Sequence, residues 1–523
     1  MTLVTERVTH AKRRSRRQLL FHSGSEHNVS VDRLVDGVKH NTQVSRSRSL
    51  YYRFFTTAGF FRMHKSTRTG LIAIAILVCV IVVILLLNLD SIKSSHDALC
   101  VKLDGGKTCH SMDTNPYRYY GTKTAYHVAL GDILNYQFDV GECKPKTFYL
   151  LSRHATRYPD KDNIVEINNI LPALRDRIIN SSLSGKVEIC AEDLEKLKNW
   201  TSEMEPENDN KITDTGEEEA EELAQRLKRR FLAVLNETYS PEKFIIEYTS
   251  RERTRSTAEA FAKGLFNEDY KNIDFDGKTN DQVLQFHKDC KKLQKSCKDA
   301  SYDISEIEKF ENGSMMQKVI DSVSKRVGFN VCKEDIKVMY RACVFGYALN
   351  ISDIWCALFS TDELKILEYG DDLDDYYKDA YGNEINHQQA CPAVEYVVNL
   401  LKTSENSTSS KAVLHFTHAG GIKKVYSAFG LFHDEKPLTA SGYCTQSNRK
   451  WQSSRIAPFN TNIVFILYQC TNDLKVAAFH NERMVKLGGC SNKLCPLHDF
   501  YKHYEPIAEN CDINKICCTC CKY

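Results

Sequence analysis

The sequence lacks a strong excess of charge of either sign, because 70 Lys and Arg residues nearly balance 68 Asp and Glu residues in 523. Residues 1–70 hold 14 Lys and Arg, 4 Asp and Glu and no Cys, which leaves residues 71–523 near a formal charge of −8. A negatively charged body argues against nucleic acid as a partner. An anionic ligand must therefore be attracted by a focused pocket rather than by the whole surface.

Internal repeats are also lacking, and long apolar runs are limited to one segment. Leu71–Leu89 is an apolar run of 19 residues with one strongly polar member, long enough to cross about 30 Å of hydrocarbon. Arg62, Lys65 and Arg68 precede the run, and basic residues favour the cytoplasmic side. We therefore expect a transmembrane signal anchor at 71–89, a basic cytoplasmic tail at 1–70, and a single-pass type II membrane protein. A cleaved signal peptide is the alternative, but its apolar segment would be shorter and nearer the N-terminus.

Cysteine is absent from the tail but frequent after the anchor, where 19 of the 20 residues lie, Cys79 being the exception. This distribution favours disulfides in an oxidising luminal or extracellular compartment, although spacing does not give the pairing. The Cys-rich C-terminal tail at 506–523 has no nearby His pair, so disulfides are favoured there over a metal. Six glycosylation sequons follow the anchor, at Asn180, Asn199, Asn236, Asn312, Asn350 and Asn406.

Three apolar runs of strand type end directly in basic residues. The runs are Phe148–Leu151, Lys243–Ser250 and Lys411–Thr417, and the carboxyl ends of parallel strands meet at one sheet edge, where ligands bind. The residues delivered to that edge are Arg153, His154, Arg157, Arg253 and His418. Guanidinium groups suit a phosphoryl dianion, and a neutral imidazole among them can attack phosphorus. Exposed charge at surface strand ends is the alternative interpretation.

The pattern predicts an α/β fold with a mixed, mostly parallel sheet flanked by helices. We assign the core to 100–280 and 411–505, with late strands at Asn462–Tyr468 and Lys475–His480. Residues 281–410 lack the strand-turn-helix rhythm and are predicted to form an inserted helical domain. The basic stretch His287–Lys292 faces either substrate or solvent, and a solvated helix face is favoured.

On these motifs the chain resembles the histidine acid phosphatases, whose signature is Arg-His-Gly-x-Arg-x-Pro. Arg153–Pro159 correspond to this signature. Among them it is most similar to the multiple inositol polyphosphate phosphatases. The likeness runs over about Tyr117–Tyr504 and includes Ser352–Phe359, Leu367–Tyr369 and Phe429–Ala440. The predicted anchor and tail lie outside it.

The resemblance implies that His154 is the nucleophile and becomes a phosphohistidine that water hydrolyses. Arg153, Arg157 and Arg253 would then bind the phosphoryl oxygens, and His418 would complete the phosphate site. Such covalent catalysis needs no metal or other cofactor. The implied partner is a small phosphorylated substrate such as an inositol polyphosphate.

Two positions depart from the family pattern. Ala155 stands where the signature has glycine, so its methyl group occupies space that glycine leaves free for the backbone. Ala419 and Gly420 occupy the positions at which related enzymes carry an acidic proton donor. Losing a general acid costs on the order of 10² to 10⁴ in rate. The proton donor is therefore unknown, with Glu252 and Glu482 as possible substitutes.

Three functional hypotheses follow. The first is a membrane-anchored phosphomonoesterase, slowed by the missing acid or favouring acyl and aryl phosphates, which leave without a proton. The second is a pseudophosphatase that binds phosphorylated ligands without turnover. An adhesion or structural ectodomain is least favoured, because such a role does not require a phosphate site.

Overall fold

The structure is a computed structural model that describes residues 76–78, 80–82, 103, 109–110, 116–288, 290, 303–407 and 411–517. The predicted tail at 1–70 lies outside these residues, as does the predicted anchor at 71–89 except for 76–78 and 80–82, which are helical and exposed. Within the described ranges, no helix combines the length and the apolar character needed to cross a membrane. All elements below belong to the compact unit Leu86–Tyr523.

One seven-stranded sheet forms the centre of this unit. Its strands are β1 (Lys144–Arg153), β2 (Phe244–Tyr248), β3 (Lys411–Thr417), β4 (Asn462–Gln469), β5 (Leu474–His480), β6 (Arg483–Val485) and β7 (Leu494–Pro496). The order is β2-β3-β1-β4-β5-β6, and β7 pairs with β5. The predicted strands are thus present, and β1 is longer than the apolar run Phe148–Leu151 from which it was predicted.

The prediction of a mixed sheet is confirmed, but the prediction that it is mostly parallel is wrong. Among the described strands, β1 and β2 each pair with β3 in parallel, whereas the four pairings β1–β4, β4–β5, β5–β6 and β5–β7 are antiparallel. The residues between β4 and β5, 470–473, are too few for a parallel crossover, which needs a dozen or more residues. The short link therefore decides the direction of the late strands.

Helices cover the sheet and form a separate layer. In chain order they are α1 (Tyr126–Leu130), α2 (Lys161–Leu183), α3 (Ala191–Lys198), α4 (Asp214–Arg230), α5 (Leu232–Leu235), α6 (Glu252–Phe266), α7 (Asp281–Leu284), α8 (Ser305–Glu311), α9 (Ser314–Val327), α10 (Lys333–Ala348), α11 (Thr361–Asp379), α12 (Glu384–Gln388), α13 (Cys391–Glu405), α14 (Ala419–Ala428), α15 (Ser453–Ile456), α16 (Leu497–Glu509) and α17 (Ile513–Cys517).

Helix α4 shows how the sequence sets these elements. The hydroxyl of Thr213 caps it by accepting a hydrogen bond from the Gly216 amide at 3.0 Å. Acidic residues in its first turn and basic residues in its last complement the helix dipole. Its apolar positions, such as Leu223 and Leu227, are buried against the sheet.

Alternate residues of the central strands point to opposite faces, and both faces are buried. Leu150 and Leu414 belong to the core under α4 and α6, whereas Leu151 and Val413 belong to the core under α13, α14 and α16. Because water reaches neither face, these strands read as continuous apolar runs rather than alternating ones. The ends of the strands are the places where polar side chains emerge.

A third core lies in the helical layer, which is built from α2, α3 and α8 to α11. The segment 281–410, predicted as an insertion, contributes α8 to α11 to this layer and α13 to the cover of the sheet. Helices α2 and α3, which precede β2, contribute to the same layer. The long helix α11 ends beside the start of α14, where β3 delivers His418.

Six disulfides join described cysteines, as expected from the cysteine distribution: Cys109–Cys190, Cys143–Cys470, Cys290–Cys517, Cys343–Cys356, Cys391–Cys511 and Cys490–Cys495. Residues 518–523 of the predicted Cys-rich tail lie outside the described residues. The asparagines of all six sequons after the predicted anchor are exposed.

Candidate active site

The parallel strands β1, β2 and β3 bring the predicted residues to one edge of the sheet. Arg153, the last residue of β1, is in register with Thr417, the last residue of β3. The next amide, that of His154, donates to the Thr417 carbonyl at 2.9 Å. The imidazole rings of His154 and His418 consequently lie with their centroids 5.7 Å apart. Both residues are buried.

His154 has the tautomer and the charge state of a nucleophile. Its Nδ1 lies 2.9 Å from the Ala155 carbonyl oxygen, and because a carbonyl only accepts hydrogen bonds, Nδ1 carries the proton and Nε2 keeps its lone pair. Burial and then the positive charges of Arg153, Arg157 and Arg253 hold the pKa of His154 well below its usual value. The ring is therefore neutral and able to attack phosphorus.

Three guanidinium groups surround this ring. Arg153 donates to the carbonyls of Thr122 at 2.6 Å and Ala457 at 2.9 Å, and Arg157 donates to the Tyr158 carbonyl at 2.6 Å. Burial, together with repulsion between the cations, lowers the pKa of Arg153 to about 9. The same causes lower the pKa of Arg253 to about 10.

The Nε atoms of all three arginines are buried and have no hydrogen-bond partner among the described residues. A buried unpaired donor is costly, and three mutually repelling cations add to that cost. A bound dianion would satisfy the donors and neutralise the charge at the same time. The arrangement is therefore that of an anion site matched to a phosphoryl group.

His418 completes the arrangement from the start of α14, where it is the residue that precedes the first helical turn. Its Nε2 lies 2.9 Å from the Thr249 hydroxyl, while its Nδ1 is buried without a partner among the described residues. Burial, with Arg253 as the next cause, lowers the pKa of His418 to about 2. His418 is thus a neutral polar group directed at the anion site, next to helix amides that favour negative charge.

Comparison with known proteins agrees with this geometry. Residues 146–487 match the Histidine phosphatase superfamily (branch 2). The chain belongs to this superfamily. All five predicted site residues fall inside the matched range, and the predicted anchor at 71–89 falls outside it.

Relatives of this histidine phosphatase extend over most of the chain. It is 31% identical over 419 residues to multiple inositol polyphosphate phosphatase 1 of Drosophila melanogaster, covering 77% of this chain and 88% of the relative. The human protein of the same name is 28% identical over 436 residues, with 76% and 88% covered.

Two solved structures share the fold. The phytase from D. castellii has a TM-score of 0.60 at 20% identity, covering 77% of this chain and 88% of that one. The Bifidobacterium longum multiple inositol polyphosphate phosphatase, solved with inositol hexasulfate, has a TM-score of 0.54 at 14% identity, with 73% and 96% covered.

The loop that carries the nucleophile rests on groups that sequence reasoning did not identify. The Ala155 amide donates to the Thr257 hydroxyl at 3.1 Å, and the Thr156 hydroxyl donates to Glu219 at 2.7 Å. Ala155 is fully buried and is not among the residues with a positive φ. The methyl group that replaces the hydrogen of the signature glycine is therefore accommodated without backbone strain.

Neither carboxylate proposed as a substitute proton donor lies in the phosphate site. Glu482 is buried, where Arg226 donates to it at 3.0 Å and the Tyr126 hydroxyl at 3.2 Å. Glu252 is exposed at the start of α6. Instead, Asp379 at the end of α11 lies beside Gly420, since a Cβ on Gly420 would be 3.3 Å from its Oδ1. No pattern in the local sequence around Asp379 predicts this contact with Gly420.

The segment Asn280–Lys288 spans the ends of β2 and β3. The Asn280 amide donates to the Tyr248 carbonyl at 2.9 Å, and the Thr417 hydroxyl donates to the Leu284 carbonyl at 2.5 Å. His287 is consequently near Gly421, and burial followed by Lys424 lowers its pKa to about 3. Within the basic stretch His287–Lys292, Lys288 is exposed, as expected for a solvated helix face. His287 instead lies close enough to His418 to lower its pKa. The remainder lies outside the described residues except Cys290, which is in a disulfide.

A cavity of about 390 Å³ adjoins the phosphate site and shares Arg157 with it. Its charged lining residues are of both signs: Lys123, Arg157, Lys337, Arg341, Asp160, Glu311, Asp371 and Asp374. Some of these charges are already paired, for example Lys337 with Glu311 at 2.6 Å. The cavity therefore lies beside the phosphate site and presents charges of both signs.

Potential metal ligands cluster elsewhere among the described residues. One group consists of Cys109, Cys190 and Asp193, and the other of His110, Asp353 and Cys356. The cysteines of both groups are in disulfides, so they do not offer thiolates. Neither group includes a residue of the phosphate site.

Proposed function

We propose that this histidine phosphatase is a phosphomonoesterase that releases phosphate from inositol polyphosphates through a phosphohistidine at His154. The observation that carries the proposal is the neutral His154 ring, with its Nε2 lone pair available, among three guanidinium groups whose buried Nε atoms lack partners within the described residues. The names of the relatives and the inositol hexasulfate bound by the Bifidobacterium longum protein support the substrate class.

The chemistry has two steps. Nε2 of His154 attacks phosphorus while Arg153, Arg157 and Arg253 stabilise the equatorial oxygens, whose charge grows in the transition state. The P–O bond to the inositol oxygen breaks, and its electron pair leaves on that oxygen, which takes a proton from water. Nδ1–H stays bonded to the Ala155 carbonyl and holds the ring in position. Water then attacks the phosphohistidine, the N–P bond breaks, and its electron pair returns to Nε2.

Phosphate release from inositol hexakisphosphate by the full-length protein in detergent tests the proposal. We expect turnover that His154→Ala abolishes, together with a protein-bound phosphate that is stable to base and labile to acid. His127→Ala, a change at an exposed histidine, is the matched control and should keep the activity. Equal phosphate release by the native protein and His154→Ala would refute the proposal.

A pseudophosphatase is the second candidate, favoured by the absence of an acidic side chain at Ala419 and Gly420. It would bind inositol hexakisphosphate through the three arginines without hydrolysing it. Isothermal titration with the native protein would then show binding that Arg253→Ala weakens, and the turnover assay would show no dependence on His154. Turnover that depends on His154 excludes this candidate.

We further propose that the enzyme is anchored by Leu71–Leu89 as a type II membrane protein with its catalytic unit in the lumen or outside the cell. The apolar run, the basic residues before it, the exposed sequon asparagines and the disulfides support this topology. Expression in cells followed by alkaline carbonate extraction and deglycosylation tests it. A protein that is extracted by carbonate, or that carries no N-glycan, would contradict it.

A further inference from the structure

A second cavity, of about 440 Å³, has a positively charged lining. Its basic side chains are Arg118, Arg455, Arg483 and His480, and no Asp or Glu occurs among the described residues that line it. None of the five phosphate-site residues belongs to this basic cavity. Residues 71–523 as a whole carry a formal charge near −8. The basic cavity is therefore a local excess of positive charge on a negatively charged body.

The three guanidinium groups of the basic cavity are not neutralised within the part of the chain that the structure describes. Arg118, Arg455 and Arg483 form no ion pair with a described carboxylate. The nearest acid in the sequence is Glu482, but its fully buried carboxylate is bound by Arg226 at 3.0 Å. Arg118 and Arg455 are exposed and Arg483 is half-buried, so their charges are accessible to a ligand from solvent.

Buried polar groups complete the lining. Thr124 is only 1% exposed, and its hydroxyl has no hydrogen-bond partner among the described residues. A buried hydroxyl without a partner is costly, and the oxygen of a bound anion would accept a hydrogen bond from it. Burial lowers the pKa of His480 to about 4, so this ring is neutral. The positive charge of the cavity therefore comes from its arginines.

The turn between β5 and β6 fixes one wall of the basic cavity. His480 and Arg483 pair across this hairpin, and the two residues between them, Asn481 and Glu482, have φ values of 43° and 64°. Glycine is the preferred second residue of a two-residue turn with positive φ, so Glu482 is strained there. Its buried ion pair with Arg226 holds the strained turn in place. The position of Arg483 is thus set by the fold rather than by a neighbouring carboxylate.

We propose that the basic cavity is a second anion site, which binds a small molecule that carries two or more phosphate groups. Guanidinium groups match phosphoryl oxygens in geometry as well as in charge. One phosphate group carries at most about two negative charges at neutral pH, so three arginines require a second phosphate group for full compensation. The volume lies within the range of about 300–1,000 Å³ that is typical of small-molecule sites. The inference does not depend on the proposed phosphatase activity, since the two sites share no residue.

Isothermal titration of the full-length protein in detergent, with inositol hexakisphosphate as the probe, tests the inference. His154→Ala serves as the background, so that the probe is not consumed. We expect two molecules to bind per chain. Joint Arg455→Ala and Arg483→Ala substitution should weaken one of the two sites about 10- to 100-fold, because charge-assisted hydrogen bonds are lost. Arg253→Ala should weaken only the other site.

The two arms of this titration also separate the inference from the proposed function. Binding that depends on Arg455 and Arg483 but not on Arg253 would support the basic cavity even if the phosphate site failed to bind. Binding that is unaffected by the joint Arg455→Ala and Arg483→Ala substitution would overturn the inference. Arg229→Ala, at an exposed arginine outside the cavity, is the matched control and should leave both affinities within about twofold.

Val128→Trp separates a cavity from diffuse attraction by surface charge. Val128 lines the cavity, and the indole would fill it without changing the charge. We expect this variant to lose the second site, and unchanged binding would overturn the inference. Thermal unfolding followed by circular dichroism checks that the variant is folded. If it is not folded, Arg118→Ala, at an exposed side chain, provides the test, with an expected loss in affinity of about 10-fold.

Two further ligands test the chemical class. Inorganic phosphate should bind the basic cavity at least about 10-fold more weakly than inositol hexakisphosphate, because it offers one phosphate group to three arginines. Equal affinities would contradict the requirement for a second phosphate group. A heparin oligosaccharide that depends on the same arginines and binds more tightly than inositol hexakisphosphate would assign the cavity to a sulfated glycan and overturn the inference.

Discussion

At the scale of single residues, Arg253 illustrates why the site uses arginine. Its half-buried guanidinium repels that of Arg157, and its buried Nε lacks a partner among the described residues. A lysine would keep the positive charge but lose the planar set of donors that matches phosphoryl oxygens. The role of Arg253 is therefore geometric as well as electrostatic.

We expect Arg253→Lys to lower kcat/KM for the preferred phosphate substrate about 10- to 100-fold, because the lost donor acts on charge that develops in the transition state. The neighbouring Arg251 has an exposed side chain, so Arg251→Lys is the control and should stay within about twofold. Steady-state kinetics of the two variants checks this. Full activity in Arg253→Lys would show that charge alone suffices.

At the scale of secondary-structure elements, the first turn of α4 supports the nucleophile loop. Gly216 packs so closely on the Thr156 backbone that a Cβ would clash with its carbonyl oxygen. The Thr213 amide donates to the same carbonyl at 3.0 Å, and Glu219 holds the Thr156 hydroxyl. Helix α4 and the loop behind His154 therefore act as one packed unit.

Gly216→Ala should destabilise the protein by about 1–3 kcal/mol, although alanine favours helices, because a backbone oxygen cannot rotate away from the added methyl. We also expect kcat to fall, since the loop must shift. Glu218→Ala, at an exposed position in the same turn, is the control. Thermal unfolding and phosphate release measured together check this, and a more stable Gly216→Ala variant would disprove it.

At the scale of the whole molecule, burial holds several titratable groups in their neutral forms. Burial lowers the pKa of His480 to about 4, where its Nε2–H donates to the Ile456 carbonyl at 2.8 Å. Burial and nearby carboxylates raise the pKa of Glu368 to about 8 and that of Asp371 to about 6. Neutral His480 contributes to the free energy of unfolding above about pH 6.5, and this contribution is lost as the pH falls through about 4. The protonated carboxyl groups of Glu368 and Asp371 contribute to the free energy of unfolding below about pH 4, and this contribution is lost as the pH rises toward 8.

We expect acidification from pH 6.5 to pH 4 to reduce the free energy of unfolding less in His480→Gln than in the native protein, by up to about 3 kcal/mol. The unfolded native chain gains a proton on His480 in this range that the folded protein does not bind. His498→Gln, at an exposed histidine, is the control. Denaturant unfolding at both pH values provides the measurement, and identical pH dependence in His480→Gln would rule this out.

Much of the fold and of the candidate site was predictable from local patterns. The run Lys411–Thr417 is β3, Asp214 begins α4, and the basic residues after three strands meet at one edge. The sheet direction was not predictable from strand composition, because β4 and β5 are as apolar as the parallel strands. The supporting residues Thr249 and Glu219 were missed because a single buried Thr or Glu leaves no periodic signal.

The sequence by itself determined the strands, the basic residues at their ends and the glycine at position 420, because these follow from local propensity and residue chemistry. Only the tertiary structure decided that Asp379 lies against Gly420, bound by Lys423 and Lys424. Asp379 and Gly420 lie on different helices, α11 and α14, so their contact depends on how the helical layer packs against the sheet. That packing is a property of the whole chain, so no local sequence pattern could predict it.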